Sequence, residues 1–103
     1  MSEQNKIVVT ADRDLEDIIP GYLANRQKDI ADMSAALDGG DFETIRVLGH
    51  RMKGSGGGYG FDQITEIGAS LEQAAKGGDG DTIRARVAEL VDYLARVEVT
   101  YED

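Results

Sequence analysis

The chain punctuates itself twice in the same way. Gly39-Gly40-Asp41-Phe42-Glu43-Thr44-Ile45-Arg46 is echoed by Gly77-Gly78-Asp79-Gly80-Asp81-Thr82-Ile83-Arg84. Glycine ends one helix, and aspartate accepts the free N–H groups that start the next. The echo occurs only twice, so it is shared stop-and-cap punctuation and not a solenoid array. A chain cut in this way is built of helices joined by short turns. At 103 residues it makes one small domain, with a core burying roughly two-thirds of its unfolded surface.

The apolar residues agree. Residues 1–11 form an extended N-terminal segment, polar at first and then Ile7-Val8-Val9-Thr10. Asp12 caps a short first helix through Ile19, with Asp14 and Glu16 where the helix dipole favours acids. Pro20 sits in the first turn of a second helix, whose face is Ile19, Tyr22, Leu23, Ile30, Met33 and Leu37. After Asp41 a third helix buries Phe42, Ile45, Leu48 and Met52. Asp62 caps a fourth, with Ile64, Ile67, Gly68, Leu71, Ala74 and Ala75 inward. The fifth starts near Asp79 or Asp81 and carries Ile83, Val87, Leu90, Leu94, Val97 and Tyr101, alternately four and three apart. The expected fold is all-α: an antiparallel four-helix bundle over residues 12–103 with an additional short N-terminal helix.

The third helix holds the only histidine. His50 is two positions from both Leu48 and Met52, about 200° around a helix, so it points away from the core stripe. Lys53 and Gly54, three and four residues on, share its side of the rod. Arg46 and Arg51 complete a basic neighbourhood in a protein of net charge -9. A ring nitrogen with an ammonium beside it, and no bulky side chain over the next turn, suits an anionic group. The helix must then pass through Gly54, Gly56, Gly57 and Gly58, or stop there, and each costs ~1 kcal/mol in a helix relative to alanine. Against a stability of roughly 5–15 kcal/mol this needs an offset, such as close approach by a neighbouring helix or a partner.

Other chemistries find no support. Lys53 precedes Gly54-Ser55, which is not the order of a Walker loop, and the glycine run lacks G-x-G-x-x-G spacing. One histidine without cysteine makes no zinc site. Nothing marks a nucleophile elbow for a Ser-His-Asp triad. The scattered basic residues do not form the stripe that nucleic acid or an anionic membrane surface requires. No apolar run approaches the ~20 residues of a membrane span, and Met1–Lys6 shows no signal peptide, so a cytoplasmic location is expected.

His50-x-Met52-Lys53-Gly54-Ser55 followed by Gly60 resembles the signature of histidine phosphotransfer (HPt) domains of two-component phosphorelays. The resemblance covers nearly the whole chain, including the acidic first helix, the Pro20 turn and the long helix ending at Gly39-Gly40. One departure is Gly56-Gly57-Gly58, where the family often places Ala or Ser. The resemblance implies a four-helix bundle in which His50 accepts a phosphoryl group from a receiver-domain aspartyl phosphate and passes it to another receiver. It further implies attack through Nε2. An ordinary imidazole is mostly neutral at pH 7, as a nucleophile must be.

Lys53 would then neutralise the transferring oxygens and Gly54 would keep access open. If the helices flanking Tyr59-Gly60-Phe61 pack antiparallel, His50 is level with about residue 72. Glu72 is therefore the candidate acceptor for Nδ1–H, with Gln73 as the fallback. Arg46, Arg51, Ser55 and Gly57 are candidate partner contacts. The chain itself needs no cofactor or metal, and Mg2+ would belong to the receiver. The partners implied are a response-regulator receiver domain and a sensor or hybrid histidine kinase, with the protein itself a monomer. Without a nucleotide-binding element it should not phosphorylate itself from ATP. Met1 and the polar tail Tyr101-Glu102-Asp103 fit a free-standing protein. The rival readings are an unphosphorylated adaptor bundle and a phosphohistidine hydrolase. For the latter the sequence offers no general base or water site.

Overall fold

The computed structural model describes residues 5–103. Met1-Ser2-Glu3-Gln4, the polar start of the segment expected to be extended and to lack a signal peptide, lies outside the described residues. The order of elements is β1 (Ile7–Asp12), α1 (Ile19–Asp38), α2 (Phe42–Ser55), α3 (Asp62–Lys76), α4 (Gly80–Arg96) and β2 (Val97–Glu102). Single 3-10 turns at Arg13–Leu15 and Gly57–Tyr59 join β1 to α1 and α2 to α3. Among the described residues no helix is long and apolar enough to cross a membrane.

The repeated punctuation acts twice with one geometry. Asp41 Oδ1 accepts from Thr44 N at 3.1 Å, and Asp79 Oδ1 accepts from Thr82 N at 3.1 Å. Each threonine hydroxyl donates to the other carboxylate oxygen, at 2.6 and 2.7 Å. Both carboxyls are held below their usual range, first by these threonine hydroxyls and then by the threonine N–H groups. Gly40 and Gly78, with φ of 71° and 65°, supply the left-handed backbone that turns the chain between helices. Pro20 falls in the first turn of α1. Ile45, Leu48 and Met52 of α2 pack with Ile64, Ile67 and Leu71 of α3 in one core, which Met33, Ile83 and Leu90 complete.

Three boundaries differ from the sequence reading. First, the extra N-terminal helix is absent. Asp12 does cap, accepting from Asp14 N at 2.9 Å, but only a 3-10 turn follows. Strand β1 reaches only the cap, Asp12, and the residues after it close a single 3-10 turn, because so short a helix returns few hydrogen bonds for the backbone it fixes. Second, Phe61 is the cap residue of α3 and Asp62 its first residue, where the acid still faces the helix N-terminus. Third, α4 stops at Arg96, and Val97-Glu98-Val99-Thr100-Tyr101-Glu102 is a strand. Val97 and Tyr101 continue the helical stripe, but with Val99 they also alternate by two. Their β-branched and aromatic side chains suit a pleated surface.

β2 pairs in parallel with β1, from Ile7 opposite Val97 to Asp12 opposite Glu102. Ile7, Val9, Val97, Val99 and Tyr101 are half-buried against the core, while Val8, Thr10, Glu98 and Thr100 are exposed. The ribbon ties together the two ends of the described chain and lies beside the α2–α3 turn, where Gly60 approaches Thr10 and Val9.

Candidate functional site

The site is built where α2 and α3 come closest. A Cβ placed on Gly49 would lie 2.8 Å from both Glu72 N and Gly68 O, and one placed on Gly68 would lie 2.7 Å from Gly49 O. Real side chains do not fit at such distances, so the two glycines let the helix backbones touch. His50 follows Gly49, and Glu72 is one turn beyond Gly68, so the contact brings this pair together.

His50 Nδ1 lies 3.0 Å from Glu72 Oε2. The histidine side chain is 63 % exposed and that of Glu72 only 5 %. A carboxylate can only accept, so Nδ1 carries a proton, and in the neutral ring Nε2 is the nitrogen that keeps its lone pair. Lys53 Nζ sits 2.7 Å from Oε1, and Lys76 Nζ lies 3.9 Å from Oε2. The Lys53 ammonium holds the Glu72 carboxyl below its ordinary range and the His50 ring adds to this, against burial, which raises it. Glu72 is thus a buried anion kept ionised by cations, with an exposed imidazole bound to its outer oxygen.

The surroundings leave room for a partner. α2 runs through Gly54, where an added Cβ would meet nothing within 4 Å. Gly56 is different: it closes the helix, and its Cβ would lie 2.7 Å from Thr65 N. Thr65 accepts from Gly57 N at 2.7 Å and donates to Lys53 O at 3.2 Å, so α3 secures the end of α2. The helix stops at Ser55, so of the glycine run only Gly54 lies inside it; the close contact falls on Gly56 at its end, while Gly54 and Gly58 remain open.

The profile of the Hpt domain family matches residues 17–100. The chain belongs to the Hpt domain family. Hpt domains are phosphocarriers of phosphorelays and act with receiver domains and histidine kinases. Neither curated proteins nor solved structures gave a match. The matched span leaves β1 outside.

In this Hpt domain His50 and Glu72 meet, Lys53 is drawn onto Glu72 in a contact that the sequence reading did not name, and Gln73, the fallback, is exposed. Arg51, next in sequence to the histidine, is exposed, and its charge acts on Asp29 of α1. Arg46 is paired with Glu43 on its own helix. Ser55 is half-buried, and its hydroxyl and that of Tyr22 are 2.9 Å apart, so it joins α2 to α1. Gly57 is exposed, with its N–H on Thr65. Sequence reasoning passed over Gly49, Thr65 and Lys76. The last carried a signal, since it is four residues after Glu72 on one helix.

Proposed function

We propose that this Hpt domain carries the phosphoryl group on His50 Nε2, taking it from a receiver-domain aspartyl phosphate or partner kinase and handing it to another receiver. One observation carries the reading: an exposed imidazole is held by its inner nitrogen on a buried carboxylate, leaving the outer nitrogen free. The Nε2 lone pair attacks phosphorus, the P–O bond to the donor aspartate breaks, and the aspartate leaves as carboxylate. No proton has to leave Nε2. The positive charge gained by the ring is shared with Nδ1–H, which faces Glu72. Lys53 neutralises the equatorial oxygens, and positioning and charge stabilisation of this kind supply most of the catalysis in phosphoryl transfer.

Gly54 gives a receiver's loops an open approach. Mg2+ and the aspartate belong to the receiver, and this chain makes no phosphohistidine from ATP by itself. Incubation with a phosphorylated receiver domain, beside a His50→Gln control, tests the reading. Acid-labile, base-stable label on the wild type alone is expected. Equal label on both proteins, or none on the wild type from several receivers and from phosphoramidate, would overturn it and leave the adaptor bundle.

A further inference from the structure

Glu72 has more cations around it than its own charge requires. Oε1 is closed to solvent and faces the Lys53 ammonium at 2.7 Å. Oε2 receives the His50 ring at 3.0 Å and has Lys76 Nζ at 3.9 Å. Lys53 and His50 stand on α2, whereas Lys76 stands on α3, one turn past Glu72. On the phosphocarrier reading, Lys53 serves two anions: Glu72 before transfer and the phosphoryl oxygens during it. Its flexible stem permits the swing. The swing would take from Glu72, a carboxylate 5 % exposed, its nearest cation, and a buried charge left unpaired is costly. That cost would fall on the transfer step.

We infer that Lys76 is a positioning residue that takes over the charge of Glu72 when Lys53 turns to the phosphoryl group. This rests on the phosphocarrier reading above. Arg46 also acts on Glu72 through its charge, but its guanidinium is engaged by Glu43. Lys76 is half exposed and near contact distance, so a rotamer change brings it onto the carboxylate. It keeps Glu72 ionised and aimed at Nδ1–H, and it does not touch phosphorus. In the bond-making step the Nε2–P bond forms as the donor's bond to phosphorus breaks, and the leaving group departs with the electron pair. Lys76 gains and loses no proton.

The test uses the whole chain with phosphoramidate as donor, so that ammonia is the leaving group. The rate of His50 phosphorylation and the ring 15N shifts before and after phosphorylation are measured for the wild type, Lys76→Met and Lys76→Arg. Lys76→Met should slow phosphorylation roughly two- to fivefold, the range of a half-exposed ion pair. It should leave the unphosphorylated ring unchanged, because Lys53 still covers Glu72, and should disturb the Nδ1–H signal of the phosphorylated ring. Lys76→Arg should restore both. A wild-type rate and an unchanged phosphorylated ring in Lys76→Met would overturn the inference alone. So would equal disturbance of both ring states, or failure of Arg to restore them. A wild type that takes no label would overturn the phosphocarrier reading and this inference with it.

Discussion

The α2–α3 pair and the β1–β2 ribbon are held together in opposite ways. The helices are neighbours in sequence and touch through Gly49 and Gly68, so their backbones have no room to shift. The strands join residues ninety positions apart and lie at the edge of the core with half-buried side chains. The first region fixes two side chains to within a hydrogen bond, while the second ties down the ends of the described chain and contributes nothing to that pair. Rigidity is concentrated where the chemistry needs it.

Substitution on each side should expose this contrast. Gly68→Ala drives a methyl group into the α2 backbone and should lower stability by about 1–3 kcal/mol in chemical denaturation, an overpacking cost. Phosphotransfer should fall with it, because His50 and Glu72 separate. A variant of unchanged stability would show that the helices do not meet as described. The same change at Gly54, where space is open, should raise stability by up to ~1 kcal/mol through helix propensity. It should also slow transfer from a receiver domain more than transfer from phosphoramidate, and equal slowing would remove Gly54 from the docking face.

In the ribbon, Val99→Ala should cost at most about 1 kcal/mol, the span of strand propensities, and leave phosphotransfer kinetics untouched. Altered kinetics would show that the ribbon and the site are coupled.

Acid should act on the first region through Glu72. The carboxyl of Glu72 lies below its ordinary value of 4.5 in the folded protein, so the unfolded chain binds its proton more readily. Its contribution is present above pH 4.5 and is lost as pH falls through the lower folded value. Denaturation midpoints between neutral and acidic pH should decline less steeply in Glu72→Gln than in the wild type. Parallel declines would contradict the ion network.

The site was more legible in the sequence than the chain ends were. His50, Lys53 and Glu72 follow from helical periodicity and hairpin register, which depend only on local geometry and a short turn. The glycine-aspartate caps were legible for the same reason. The ribbon was not, because Val97 and Tyr101 satisfy both a helical and a strand period. What decides between them is a partner strand ninety residues away, which sets Ile7 opposite Val97 and Ala11 opposite Tyr101. The Gly49–Gly68 contact was half visible: Gly68 stood on the inner face, but nothing in one sequence says that two glycines on different helices meet.

The helix contact hands the His50 Nδ1–H to Glu72 and leaves Nε2 bare. Long-range 15N–1H spectra of the His50 ring at neutral pH, before and after phosphorylation, test it most directly. A proton on Nδ1 and none on Nε2 is expected in the free protein, then phosphorus coupled to Nε2. A proton on Nε2 in the free protein, or phosphorus on Nδ1, would contradict it.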